Sequence, residues 1–259
     1  MAVARQEGKR IEALLIENAE EAMGINDRVQ LAQAGTLLRQ RINEAHQRAG
    51  VTLIDPDTTY IDPDVAIGCD TLIHPGVHLR GKTTIGSSCE IEPGVIVTDC
   101  IVGDRVHLKP GSVLSESTIG ADCAIGPMAH LRPGTVLAGN NKIGNFVETK
   151  KAVIGEKSQA SHLTYIGDAV LGKNVNIGCG TITCNYDGVN KYQTTIEDDV
   201  FVGSDTQFVA PVRIGRNSLI GAGSTITKDV PADALALSRS EQKVIEGWVL
   251  RQRKKNRKD

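Results

Sequence analysis

From residue 61 onward an aliphatic side chain returns every sixth position: Ile61, Ile67, Ile73, Leu79, Ile85, Ile91 and Val97. The register resumes at Ile119, Ile125 and Leu131, and again at Ile196, Val202, Phe208, Ile214, Ile220 and Ile226. A helix repeats its apolar face every 3.6 residues and a half-buried strand every second one, so a spacing of six belongs to neither. It is the signature of a parallel β-helix, in which each short strand turns one aliphatic inward before the chain bends at a corner. Three hexads per turn make a coil of about 18 residues, so residues 61 to 230 hold roughly nine coils. Glycine often follows the inward residue, as in Ile67-Gly68, Ile85-Gly86, Ile119-Gly120, Ile154-Gly155 and Ile177-Gly178. The expected reason is that glycine tolerates the corner backbone. With aromatics at only 3%, the core has to be built from Ile, Val, Leu and Ala.

Two interruptions break the pattern. Between Asn140 and Ala160 the hexads lose phase, and "NYDGVNKYQTT", Asn185 to Thr195, is polar where an aliphatic is due. Both read as loops, and loops that break a solenoid are where a site is expected. Ahead of the repeat, a helix is predicted from about Asn26 to Ala49, capped by Asn26 or Asp27, lined by Val29, Leu31, Leu38 and Ile42, and stopped at Gly50. The apolar run Ala13 to Ile16 reads as a short buried strand with no sheet to join.

Lys and Arg total 29 against 31 Asp and Glu, so no global field attracts nucleic acid or a membrane surface. The exception is local: Arg251 to Lys258 carries six basic side chains in eight positions, either a solvated tail or a phosphate-attracting one. Neither a membrane-length apolar run nor an export leader is present, which points to the cytoplasm. Cys69, Cys89, Cys100, Cys123, Cys179 and Cys184 form no C-x-x-C pair, which suits reduced, packed thiols.

The stretch "LRPGTVLAGNNKIGNFVETKKAVIGEKSQASHLTYIGDAVLGKNVNIGCGTITCNYDGVNKYQTTIEDDVFVGSDTQFVAPV" is more specific than a generic hexapeptide protein. It closely resembles the acetyltransferase half of bacterial bifunctional N-acetylglucosamine-1-phosphate uridyltransferase/glucosamine-1-phosphate acetyltransferases. The resemblance covers essentially the whole chain. It implies an all-β, left-handed parallel β-helix, preceded by a connector helix and followed by a short C-terminal helix and basic tail. The left-handed coil would be an exception to the right-handed crossover rule, and the resemblance also implies a homotrimer with sites between subunits. The organisation it implies is residues 1–25 as a remnant of the uridyltransferase domain, 26–50 as linker helix, 51–235 as the acetyltransferase β-helix and 236–259 as C-terminal helix and tail. The Gly-rich nucleotide-binding start of the first domain is absent, so no uridyl transfer is expected. Asn26 matches a magnesium ligand of that domain, but an amide without its carboxylate partner should hold Mg²⁺ poorly.

Acetyl transfer from a thioester to a sugar amine needs a neutral amine, a base for its proton and donors for the oxyanion. Histidine suits the base role near neutral pH. Alone, His162 reads as a packed or surface histidine; within "SHLTYIGDA" the resemblance makes it the general base. His46, His74, His78, His107 and His130 remain structural. Glu148 is a candidate to orient the imidazolium. Arg132 and Lys150 match phosphate-binding positions, and Lys191 is a plausible third, giving the sugar phosphate fixed positive charge. Tyr165 and Asn176 match sugar-contacting positions. For acetyl-CoA the resemblance points to Asn185, Tyr186, Ser204, Ala222 and Arg239, and to Cys179, where the family often has alanine. No metal is required for this chemistry. The glucosamine-1-phosphate reading has three rivals: a hexapeptide acyltransferase with another acceptor, a zinc hydratase in which His74 and His78 are the nearest pair, and a non-catalytic trimeric scaffold.

Overall fold

The computed structural model describes residues 2–8, 10, 12, 15 and 23–255. Residues 51–236 form a parallel β-solenoid of about ten turns whose strands are mostly two or three residues long. One face stacks 11 strands in chain order, from Thr52–Leu53 to Leu235–Ala236, and the other two faces are joined through their corners. Every pairing between the named strands is parallel, so each coil hydrogen-bonds to the one before and the one after.

The inward column follows from the hexads. Ile73, Ile91, Leu108 and Ile125 point in from the first face, Leu79, Val97, Leu114 and Leu131 from the second, and Ile85, Val102, Ile119 and Leu137 from the third. All are at most 2% exposed. Burying such a side chain contributes about 1.5–3 kcal/mol relative to leaving it in water. The repeat is not strictly six. Leu72 pairs with Glu90, but Glu90 pairs with His107, so these coils take 18 residues or 17. The missing residue is lost at the corner between the second and third faces, where Val97 is followed five positions later by Val102.

The glycines that follow the inward residues have a different cause from the one expected. Gly68, Gly86, Gly120, Gly155 and Gly178 do not take left-handed backbone conformations. What excludes a side chain is the neighbouring coil: a Cβ on Gly86 would stand 2.5 Å from the carbonyl carbon of Gly103, and one on Gly155 2.3 Å from the oxygen of Gly172. The left-handed corners are filled by other glycines, such as Gly76, Gly94 and Gly134, and by residues among which Asp, Asn and Ser recur, as at Asp70, Ser88, Asp99, Asp122, Asn140 and Asn174. Their short polar side chains make that conformation tolerable.

The two interruptions separate. Residues 140–160 stay within the coil, where Lys142–Asn145, Glu148–Ile154 and Gln159–His162 continue the sheets. The pattern is masked because the inward position of the second face is Thr149, fully buried, its hydroxyl bonded to that of Thr135 at 2.9 Å, and the phase shifts because inward Ile154 follows it by five residues rather than six. The polar stretch does leave the prism: the chain departs after Cys184 and returns at Thr194, which pairs with Ala169.

The helix spans Arg28–Arg48 with Asp27 as N-cap, its side chain accepting from the N–H of Gln30, and Gly50 follows at φ +95. Val29, Leu31 and Leu38 are exposed and do not line a packed face. The contact to the solenoid is made by Ile42, by buried Asn43, which donates to the carbonyls of Pro56 and Thr59, and by Arg39 over the Tyr60 ring. Of the expected strand at 13–16, Ala13, Leu14 and Ile16 lie outside the described residues, and Leu15 is exposed and in no strand. Trp248–Lys255 is helical; the basic residues beyond it lie outside the described residues. No helix among the described residues is long and apolar enough to cross a membrane.

Candidate active site

His162 ends the strand Gln159–His162, at the corner where the first face gives way to the second. Its partner on the preceding coil is Asn145. The ring is exposed, and it makes no hydrogen bond within the chain among the described residues; only its backbone carbonyl is engaged, by the hydroxyl of Thr164 at 2.7 Å. An imidazole in that position is free to accept a proton from a ligand.

Above it the coils set out a line of small residues. Gln159 and Ala160 pair with Asn176 and Ile177, and these with Phe201 and Val202, which pair with Leu219 and Ile220. Carried two residues on, that register stacks His162, Cys179, Ser204 and Ala222 along one edge of the prism. The backbone confirms the stacking, since Asp205 N–H donates to Cys179 O at 2.7 Å and Gly223 N–H to Ser204 O at 2.8 Å. At the strand spacing of about 4.8 Å the edge from His162 to Ala222 runs about 14 Å. Arg239 closes it, donating from Nη1 to Ala222 O at 2.9 Å. Gly178, immediately before Cys179, is held against the next coil, where a Cβ would lie 2.5 Å from Ser204 N.

Around the corner, Tyr165 follows on the second face, in register with Glu148. Its phenol lies back over Gly167, where a Cβ would come within 2.3 Å of the hydroxyl oxygen. The far side of that face is cationic. Arg132 and Lys150 stand on successive coils, and Lys150 pairs with Gly167 on the next. Lys191 reaches the same place from the inserted hairpin: its repulsion, first, and that of Arg132, second, hold the Lys150 ammonium below the usual lysine pKa, with Asp168 opposing them. Three cations with two carboxylates among them, Asp168 and Glu148, leave this corner net positive and anion-attracting. Glu148 Oε1 accepts from Arg132 Nη1 at 2.6 Å, so its observed role is to hold that guanidinium, and it makes no bond to the imidazole.

Asn185, 8% exposed, sits at the root of the hairpin with its amide donating to Asp168 Oδ2 at 2.5 Å, while Tyr186 is exposed further out. Asn176 is the outlier. It lies on the first face, bonded to Gln159 Nε2 at 2.9 Å, and a single chain does not bring it to Tyr165 or the cations. Asp168 was not singled out by the sequence reading; the carboxylate directly after Gly167 in "YIGDA" was its only signal.

The structure separates the two histidines of the zinc reading. His74 Nε2 is 3.2 Å from Glu90 Oε1, whereas His78 stacks on Tyr60 with ring centroids 4.7 Å apart. No group of three His, Cys, Asp or Glu side chains is arranged to hold a metal among the described residues. Asn26 is exposed, its backbone N–H on Gln30 Oε1, and one amide does not make a magnesium site. All six cysteines are free. Cys89, Cys100 and Cys123 are buried, which pushes their thiols up, but Cys69 is exposed rather than packed.

A family model described as "GMPPB C-terminal domain" matches residues 57–143, and "Bacterial transferase hexapeptide (six repeats)" matches residues 193–228. The chain is 71% identical over 251 residues to "Bifunctional protein GlmU" of Syntrophotalea carbinolica, covering 97% of this chain and 54% of that relative. It is 52% identical over 232 residues to the protein of the same name from Listeria monocytogenes, covering 90% and 50%. The chain belongs to the GlmU family. It spans about half the length of the curated GlmU relatives it matches, and corresponds to their C-terminal part. Among solved structures it is similar to a UDP-N-acetylglucosamine acyltransferase from Campylobacter jejuni, 17% identical over 76% of each chain with a TM-score of 0.45.

Proposed function

We propose that this chain transfers the acetyl group of acetyl-CoA to the amine of glucosamine-1-phosphate, with His162 as general base. The observation that carries the reading is the pairing of an unengaged imidazole with two different surroundings. On one side runs an edge of small residues ending at Arg239; on the other, past Tyr165, lies the corner of Arg132, Lys150 and Lys191. A sugar phosphate anchored by that corner would lie across the second face toward His162, with Tyr165 between. The small residues of the edge leave room for an extended donor such as a pantetheine arm. High identity to GlmU proteins supports the same substrates.

In the reaction the amine nitrogen attacks the thioester carbonyl, the C–S bond breaks, and the proton lost by nitrogen passes to the His162 ring and on to the CoA thiolate. Only chain residues are needed for these steps. The site is completed, in this reading, by a homotrimer. Asn176 faces away from Tyr165 in the single chain, as expected for a residue that serves a neighbour's site. Met128, Phe146 and Leu163 support the assembly: all are in left-handed backbone conformations and 51%, 61% and 60% exposed, and Phe146 and Leu163 stack next to Asn145 and His162. A second copy is the natural cover for such an apolar ridge.

The test is an acceptor panel with free-thiol detection. Glucosamine-1-phosphate is expected to be acetylated far faster than glucosamine or other amino sugars. His162→Ala should lower kcat by roughly 10²- to 10⁴-fold with modest change in KM. Full turnover in that variant removes the base assignment; preference for another acceptor gives the site to a different hexapeptide acyltransferase, and absence of CoA binding leaves only a scaffold.

A further inference from the structure

The inserted hairpin braces itself. Tyr186 and Lys191 form an antiparallel bridge, Tyr192 N–H donates to Asn185 O at 2.9 Å, and Asp187 Oδ1 accepts from the N–H groups of Val189 and Asn190 at 2.7 and 2.6 Å. A unit braced in this way takes its orientation from whatever holds its root. Among the described residues the side-chain hydrogen bond that fastens the root to the coil below is the one from Asn185 to Asp168. Corner geometry alone does not call for a carboxylate there. Asp168 has φ +46, and corners one and two coils earlier are formed by Lys151 at φ +46 and Gly134 at φ +80.

We propose that Asp168 is a positioning residue that fixes the hairpin through Asn185 and so places Lys191 beside Lys150 and Arg132. The inference rests on the phosphate reading of that corner. An ionised acceptor gives the anchoring bond roughly twice the strength of a neutral one, and half-burial keeps it from being screened away. The same carboxylate lies close enough to Lys150 to favour its charged form, offsetting part of the repulsion that Lys191 brings when the hairpin is seated. Asp168 thus stabilises the arrangement of three cations in the ligand-free corner without touching substrate.

Binding of glucosamine-1-phosphate and of inorganic phosphate by calorimetry tests this on the full chain. Lys191→Ala and Asp168→Ala should each weaken binding by about tenfold, and the double variant should be no weaker than Lys191→Ala alone, because both changes remove the same contact. Asp168→Asn keeps an acceptor oxygen for the Asn185 amide and should retain affinity within about threefold, with thermal unfolding verifying that each variant is folded. Independent, additive losses for Asp168→Ala and Lys191→Ala overturn the inference, as does unchanged binding in Asp168→Ala. Failure of the unaltered protein to bind either ligand overturns the phosphate reading itself, and the inference with it.

Discussion

The coils of residues 61–137 and those of residues 140–196 are built on the same prism but obey different rules. In the first group the inward residue of every hexad is aliphatic, and outward groups pair with one another, as Arg105 does with Asp122 through bonds of 2.7 and 2.8 Å. In the second group threonines replace two inward aliphatics, Thr149 and Thr183, and their hydroxyls bond neighbouring coils. Outward groups there are left unengaged, as with His162, or brought into repulsion, as with Lys150 and Lys191. Regular coils spend their chemistry on cohesion, whereas the irregular ones hold polar groups ready for something absent from the chain. Unfavourable arrangements of that kind concentrate at functional sites.

The sharpest way to break the comparison is to damage the regular coils and ask whether the site notices. Gly86→Val puts a side chain against the Gly103 backbone, which cannot swing aside, and is expected to destabilise by about 3 kcal/mol or more in urea unfolding. Gly94→Ala meets only Gly111 N, at 4.0 Å, and carries the strain of its φ of +72, about 1–2 kcal/mol. Below their unfolding transitions both variants should keep the kcat of the parent per folded molecule. A glycine selected for backbone freedom alone would reverse the order of the two effects.

Arg132→Ala probes the other region. It removes one cation of the corner and leaves Glu148 partly exposed to water, so the expected outcome is a 10- to 100-fold rise in KM for the sugar phosphate with kcat little changed. The melting temperature should move by no more than about 2 °C. A fall in kcat at constant KM would place Arg132 in the chemistry rather than in the anchor.

How much of this was legible in the sequence differs between the two regions in the same way. Period six names the inward column because a solenoid repeats one environment, and Ile73, Ile91 and Ile125 are all fully buried. The glycines were legible as corner markers but not for the right reason, since stacking against the next coil is a contact between residues about 17 or 18 apart that no local propensity describes. The phase break at 140–160 read as a loop because a buried threonine looks polar until its hydroxyl partner, Thr135, is seen. In the helix, Leu31 and Leu38 fit an apolar stripe, yet the docking contact is a buried Asn43 recognising backbone carbonyls, which periodicity cannot signal. At the candidate site the motif around His162 named most residues that the corner and edge bring together, whereas Asp168 acts through a partner 17 residues on and carries no motif of its own.

The smallest expected effect is a pH dependence that only the irregular region should show. Lys191, then Arg132, hold the Lys150 pKa below the ordinary lysine value in the ligand-free chain, with Asp168 opposing. A bound phosphate adds negative charge and raises that pKa again, so binding is coupled to protonation of Lys150. The sign follows directly: affinity for glucosamine-1-phosphate is full below the ligand-free pKa of Lys150 and falls as pH rises through it. The amine of the sugar phosphate also titrates at alkaline pH, so the series is run beside inorganic phosphate, which carries no amine. Calorimetry at rising alkaline pH should therefore show a decline of less than about tenfold, the worth of one exposed charge contact, centred below the pH at which an ordinary lysine titrates. Lys191→Ala removes the largest source of repulsion and should move the decline to higher pH even as it weakens binding overall. A decline that stays at the same pH in that variant would mean that the hairpin does not bring Lys191 to Lys150 in solution, and the contrast between ordered coils and a charged, waiting corner would lose its electrostatic half.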